Sequence, residues 1–197
     1  MIQINIKDIF PKDGVYESIL GSTGVLNNLS PIGIIREGDN ISAKIYRNTL
    51  TYSNISKIPK CSIHITDNPR IFYNSLFGNI NYTIKNALPI INDESIYEII
   101  FAKCIKLNND NPSIFLLDPY SIEIGSNVHR GFSRGYSLLI DALVHFTRLD
   151  ILPNKEVLKL LNIINYELKT SKRLSPDMED IIRDLENKIV SKGYKLE

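Results

Sequence analysis

The chain has 197 residues, of which 43% are hydrophobic and 23% charged, and its formal net charge is +1. This length suits one large domain or a medium domain with an appendage, and the composition is ordinary for a soluble globular protein. The near-zero charge gives no reason to expect nucleic acid or an anionic membrane as a partner. No apolar run is long enough for a signal peptide or a transmembrane helix, so we expect a cytoplasmic protein.

Up to about residue 127, apolar residues come in short bursts separated by Gly, Pro, Asn and Asp, which is typical of β-strands. The predicted strands span residues 15–20, 30–36, 41–46, 62–66, 96–107 and 114–124. Two short helices are predicted among them, over residues 48–57 and from Pro69 onward, and a Pro- and Asn-marked loop precedes residue 96. Five or six strands at hairpin-like spacing predict a barrel rather than a βαβ sheet.

From Arg130 the apolar period becomes helical. Three apolar stripes predict three helices, which run from Tyr136 to Val144, from Val157 to Leu168 and from Met178 to Ile189. Pro153 marks the start of the second helix, and Ser175-Pro176 is expected to cap and open the third. The sequence therefore predicts an α+β protein with a mainly β core, divided into a barrel over residues 1–128 and a helical region over 129–197.

Simple searches for catalytic and metal-binding patterns find none in this sequence. Cys61 and Cys104 lie in apolar surroundings, and we expect buried free thiols rather than a disulfide or redox pair. The three histidines, His64, His129 and His145, share no metal-ligand spacing, so no metal site is expected. Hydrolase, P-loop and dinucleotide-binding motifs are also missing from the sequence.

One polar segment suggests a phosphate site. Arg47 is followed by five side chains that can donate hydrogen bonds, at the point where a strand ends and a helix begins: Asn48, Thr49, Thr51, Ser53 and Asn54. A helix N-terminus offers free N–H groups and partial positive charge, and an arginine can form paired hydrogen bonds with a phosphate. The alternative is that Asn48 or Thr49 only caps the helix while Arg47 stays solvated.

The same segment carries a family resemblance. Residues 28–34 (NLSPIGI) and 47–55 (RNTLTYSNI), followed by 62–69 (SIHITDNP), resemble motifs of an uncharacterised, largely archaeal family. That family belongs to the FMN-binding split-barrel, or flavin-reductase-like, superfamily. Later family motifs resemble residues 132–135 (FSRG) and 141–149 (DALVHFTRL), so the likeness covers most of the chain up to Leu149.

The resemblance implies a split β-barrel that holds FMN at a homodimer interface. It places beside the isoalloxazine ring a strand segment of four residues, Pro31, Ile32, Gly33 and Ile34, in which Gly33 allows close backbone approach. It assigns the ribityl phosphate to the polar segment described above, through Arg47, Thr49, Thr51 and Asn54. Arg134 matches a motif arginine that could face the flavin or anchor an anionic substrate.

Several charged or polar positions stay open between roles. His64 stands where the family has Asn, and it either alters a flavin-edge hydrogen bond or is a satisfied strand histidine, which we favour. For His145 and Arg148 we favour helix–barrel packing or a charge that complements the helix dipole.

The resemblance favours an FMN-dependent oxidoreductase of unknown substrate, with NAD(P)H or a small molecule as reaction partner. A flavin-binding or interaction module without turnover is the first alternative. The second is a barrel that binds another phosphorylated cofactor, such as a pyridoxal or deazaflavin compound.

Overall fold

The computed structural model describes residues 5–11, 13–125 and 134–196. Its elements in chain order are α1 (Ile6–Ile9), β1 (Gly14–Ser22), β2 (Asn28–Glu37), β3 (Asn40–Ile45), α2 (Leu50–Lys57), β4 (Lys60–Ile65), α3 (Pro69–Phe77), β5 (Tyr82–Lys85), β6 (Leu88–Ile91), β7 (Glu98–Lys106), β8 (Ser113–Ile124), α4 (Arg134–Arg148), α5 (Asn154–Leu174), a 3₁₀ turn (Pro176–Met178) and α6 (Glu179–Ser191).

Six antiparallel strands close into a barrel in the order β1-β2-β3-β8-β7-β4, and β4 pairs back onto β1. The long β1–β2 ladder pairs Gly14 with Arg36 at one end and Ser22 with Asn28 at the other. A closed barrel leaves no free strand edge. The predicted α+β fold, a barrel followed by a helical region, is confirmed.

The barrel interior is filled by side chains that alternate along the strands, as the two-residue period requires. Its buried cluster comprises Phe10, Leu20, Ile34, Ile41, Ala43, Ile45, Ile55, Cys61, Ile63, Ile100, Ala102, Cys104, Phe115 and Leu117. Phe10 enters beside the start of β1, where its ring centroid lies 4.9 Å from that of Tyr16. Ile55 of α2 also joins this cluster. Cys61 and Cys104 are both buried free thiols, as expected.

The structure departs from the sequence prediction in three places. The predicted loop before residue 96 contains the β5–β6 hairpin, whose turn residues Asn86 and Ala87 have φ of 52° and 63°. The hairpin was not predicted because β6 contains Pro89, and a proline normally argues against a strand. Helix α1 was not predicted. Ser175 makes no side-chain cap, and a 3₁₀ turn precedes α6.

The described residues divide into two compact units. The barrel unit comprises residues 5–66 and 75–125, and the helical unit comprises residues 67–74 and 134–196. The predicted boundary between residues 128 and 129 lies outside the described residues. In the helical unit, the apolar stripes bury Leu139, Ile164, Leu168, Ile182 and Leu185. Of the described helices, none combines the length and apolar character that crossing a bilayer requires.

Candidate functional site

The first turn of α2 is the feature that the predicted phosphate site depends on. Thr49 is its N-cap: the hydroxyl accepts a hydrogen bond from the Tyr52 N–H (3.2 Å) and donates one to the Tyr46 carbonyl (2.7 Å). The Thr49 hydroxyl is therefore used by the helix itself. The N–H groups of Leu50 and Thr51 have no acceptor among the described residues, which is the usual state of a helix start. They are available to an anion.

Two cationic side chains, Arg47 and Lys106, lie near the first turn of α2 and act on Tyr52. Arg47 is exposed, its backbone N–H donates to Asn111 Oδ1 (3.0 Å), and its guanidinium donates to the Asn109 carbonyl. Lys106, at the end of β7, donates from Nζ to the Tyr52 hydroxyl at 2.8 Å. That hydrogen bond, aided by the Lys106 and Arg47 charges, lowers the pKa of Tyr52. Sequence reasoning missed Lys106 because only the barrel register brings it next to α2.

Thr51 connects α2 to strand β2. Its side chain is buried, and its Oγ1 accepts a hydrogen bond from Asn28 Nδ2 at 2.9 Å. The Thr51 hydroxyl keeps its own proton as a donor. Since Asn28 is the first residue of β2, the strand that carries Pro31–Ile34 starts at the first turn of α2.

Asn54 lies on the same helix but is fully buried, and its amide points to the β1–β2 loop. Its Oδ1 accepts from the N–H groups of Val25 (2.8 Å) and Leu26 (3.4 Å), while its Nδ2 donates to Ser22 Oγ (3.1 Å) and Leu26 O (2.7 Å). Gly24, with φ of 152°, packs so closely that an added Cβ would lie 2.8 Å from the Asn54 carbonyl oxygen. Asn54 therefore shapes this loop.

The four predicted ring-side residues lie on both faces of β2. Ile34 is fully buried in the barrel core, and Ile32 packs against that core. Pro31 and Gly33 lie on the other face and are half-buried. A Cβ added to Gly33 would lie 3.0 Å from Val15 Cγ1 on β1, so this exposed neighbouring side chain would have to shift to admit a side chain there.

His64 on β4 is a satisfied strand histidine, which confirms the favoured interpretation. The ring is fully buried; Nδ1 lies 3.1 Å from the Ile19 carbonyl, and Nε2 accepts from the Ile91 N–H at 3.2 Å. Nδ1 therefore carries the proton of a neutral ring. Burial lowers the pKa of His64 to about 4, against the opposing effect of the Ile19 hydrogen bond.

The remaining candidates lie in the helical unit. Arg134 is exposed and begins α4, while Phe132 and Ser133 of its motif lie outside the described residues. Arg148 is exposed in the last turn of α4, where a cation complements the helix dipole. His145 instead pairs with α5: its Nδ1 lies 3.0 Å from Oε2 of Glu167. Burial raises the pKa of Glu167, and the His145 hydrogen bond acts in the opposite direction.

The structure thus brings together Arg47, Asn48 and Thr51 at the α2 start, close to Asn28 and Lys106. The Thr49 hydroxyl instead caps α2, and the Asn54 amide binds the β1–β2 loop. Pro31–Ile34 follow along β2, and Arg134 belongs to the other unit.

The fold of this barrel is that of the flavin-reductase-like split barrels. The crystal structure of the flavin reductase HpaC complexed with NADP+ is similar over 58% of this chain and 81% of that chain, with a TM-score of 0.50 and 14% identity. This likeness concerns the fold.

The chain belongs to the DUF447 family of proteins of unknown function. The family's N-terminal domain matches residues 16–126 and its C-terminal part matches residues 133–186. The crystal structure of the FMN-bound protein MM1853 from Methanosarcina mazei, of the same family, is similar with a TM-score of 0.75 and 19% identity. The match covers 92% of this chain and 97% of that one. The predicted family of split-barrel proteins is thereby confirmed. No curated protein sequence matches the chain significantly.

Proposed function

We propose that this protein binds FMN, with the ribityl phosphate at the first turn of α2. The observation that carries the proposal is the pair of unpartnered N–H groups at Leu50 and Thr51 beside the Arg47 and Lys106 cations. Backbone donors, a helix dipole and a guanidinium together form a phosphate site. The similar structure of MM1853 is FMN-bound, which supports the choice of ligand.

The path of β2 fits the rest of the cofactor. Asn28 donates a hydrogen bond to Thr51 in the proposed phosphate site. Along the extended strand β2, Pro31 and Ile34 lie about 10 and 20 Å from Asn28. In FMN the ribityl chain separates the phosphate from the ring. A strand that leads away from the phosphate site is therefore suited to run beside the ring, with backbone groups and the Pro31–Gly33 face as contacts.

The predicted phosphate ligands divide into two roles under this proposal. Arg47, Asn48 and Thr51 contact the phosphate, whereas Thr49 and Asn54 hold the helix start and the β1–β2 loop in place. Arg134 stays a proposed contact to the flavin or to an anionic substrate. When bound, FMN would supply the hydride and electron chemistry of an oxidoreductase, and the protein would bind and orient it.

Replacing Arg47 tests the phosphate site directly. We expect Arg47→Ala to weaken FMN binding by about 1.5–3 kcal/mol, the contribution of a charge-assisted hydrogen bond, which is about 10- to 150-fold in Kd. Lys57→Ala removes the same charge at the other end of α2 and should leave the affinity unchanged. Equilibrium titration followed by flavin fluorescence measures both. Wild-type affinity in Arg47→Ala, or an equal loss in Lys57→Ala, would refute this site.

A second experiment addresses turnover. We expect protein-bound FMN to lose its visible absorbance when NADH or NADPH is added without oxygen. If neither nucleotide reduces it, the simple reductase is refuted and the binding module without turnover is favoured. If the protein binds pyridoxal phosphate but not FMN, a barrel that binds another phosphorylated cofactor replaces the FMN-dependent oxidoreductase as the favoured hypothesis.

We also propose, on the family resemblance, that FMN lies at a homodimer interface. Light scattering coupled to size-exclusion chromatography should give twice the chain mass for the FMN-loaded protein. A monomer that retains bound FMN would contradict the interface location and leave the phosphate site intact.

A further inference from the structure

Three side chains with metal-ligand atoms meet between α4 and α5 in the helical unit. Asp141 and His145 are four residues apart on α4 and so share one face, and Glu167 reaches them from α5. His145 Nδ1 lies 3.0 Å from Glu167 Oε2, and His145 Nε2 lies 4.0 Å from Asp141 Oδ1. One ligand atom from each residue lies within 4.8 Å of the other two.

Burial is graded across this cluster. The Glu167 side chain is 4% exposed, that of His145 17% and that of Asp141 58%. The inner edge, Glu167 and His145, is therefore held by packing, while Asp141 lies at a side open to solvent. Solvent therefore reaches this cluster from the Asp141 side.

Two carboxylates share one imidazole in this cluster. A buried carboxylate is costly unless it is paired or protonated, and Glu167 lies beside a second carboxylate, Asp141. Within the described ranges, neither carboxylate forms an ion pair with Lys or Arg; their partner is His145. A divalent cation bound among the three side chains would pair with both carboxylates.

We propose that Asp141, His145 and Glu167 bind a divalent transition-metal ion that joins α4 to α5. One imidazole and two carboxylates suit ions such as Zn²⁺, Mn²⁺ or Fe²⁺. Adjacent ligands of a tetrahedral ion bonded at about 2.0–2.1 Å lie about 3.3–3.4 Å apart. The ligand atoms of the three residues already lie within 4.8 Å of one another, so they need only close in around the ion. Because an ion binds one imidazole nitrogen, it would replace the direct hydrogen bond between His145 Nδ1 and Glu167, and the exposed Asp141 would turn toward the same nitrogen.

The test uses the full-length protein after treatment with a chelator. We expect calorimetric titration with Zn²⁺ to show one ion per chain, and the thermal unfolding temperature to rise with Zn²⁺ and saturate. Co²⁺ should give the visible absorption of a nitrogen- and oxygen-ligated ion. Absence of saturable binding by the wild-type protein overturns the proposal.

Matched variants assign the ion to these residues. Glu167→Gln keeps the size of the side chain and an acceptor for His145, so the metal-free protein should be as stable as wild type or more stable. Zn²⁺ binding should fall by more than about 100-fold, beyond the loss expected when a residue outside the ligand set is changed. Glu156→Gln, an exposed carboxylate on the same helix, should bind Zn²⁺ like wild type. Equal binding by Glu167→Gln and wild type would also overturn the proposal.

Discussion

At the scale of single residues, His64 shows how folding controls a protonation state. Its Nε2 accepts a backbone N–H bond and its surroundings are dry, so a second ring proton would lose that bond and bury a charge. The folded pKa is about 4, below the unfolded value of 6.5. The unfolded state therefore binds more protons between these two values, and stability falls as pH decreases from about 6.5 to about 4.

We predict that this histidine alone removes about 3 kcal/mol of stability across that window, because each unit of pKa difference corresponds to about 1.4 kcal/mol. Urea unfolding at several pH values, on wild type and His64→Gln, measures it. Other titrating groups affect both proteins alike, so the difference between the two curves reports on His64. Parallel curves would contradict the neutral buried ring, and His64→Asn repeats the test if the glutamine variant does not fold.

Residue types alone predicted where the polar segment lies, but not where each side chain points. Thr49, Thr51 and Asn54 all looked like phosphate donors. In the structure, helix geometry turns Asn54 toward the β1–β2 loop, and the capping position commits the Thr49 hydroxyl. Lys106 could not be found, because its place beside Tyr52 depends on pairing between strands far apart in sequence.

At the scale of elements, alternation and turn chemistry predicted all six barrel strands, because burial on one face of a strand imposes a two-residue period. The helices of the second half followed from their apolar stripes for the same reason. The β5–β6 hairpin was missed, since its turn is Asn-Ala rather than Asn-Gly and β5 is exposed throughout. Four-residue α1 is too short to show any period.

The same turn offers a stability test. Ala87 has φ of 63°, a left-handed conformation that costs a non-glycine residue about 1–2 kcal/mol. Glycine adopts it freely but loses more backbone entropy on folding. We therefore expect Ala87→Gly to stabilise the protein by up to about 1 kcal/mol in urea unfolding. Asn86→Gly is the matched control, with a smaller gain because Asn tolerates this region. A destabilised Ala87→Gly protein would contradict the turn conformation.

At the scale of the whole molecule, the chain contributes to the helical unit twice. Residues 67–74, between β4 and β5, belong to that unit although they come from the first half of the sequence. Arg70 in this segment donates to both carboxylate oxygens of Asp180 on α6, at 2.7 and 2.9 Å. This explains why no pattern in the sequence revealed the assignment: it depends on contacts between residues more than a hundred positions apart.

This arrangement predicts the behaviour of a chain shortened after Gly125. The barrel core cluster lies entirely before that residue, so the strands should still form and the far-ultraviolet circular dichroism should remain β-type. Ile71, Phe72 and Tyr73 are buried in the intact protein and would lose the rest of their unit. Exposed apolar surface of this kind promotes association.

We therefore expect the shortened protein to bind a hydrophobic dye and to aggregate, and Phe72→Ser in the shortened chain to reduce dye binding. Val15→Ser, which removes an already exposed apolar side chain from β1, serves as the control and should change little. A shortened protein that stays monomeric without binding dye would show that residues 67–74 do not need the helical unit. Because those residues connect β4 to β5, which both belong to the barrel unit, their need for helical partners would couple the folding of the two units, even though each has its own core.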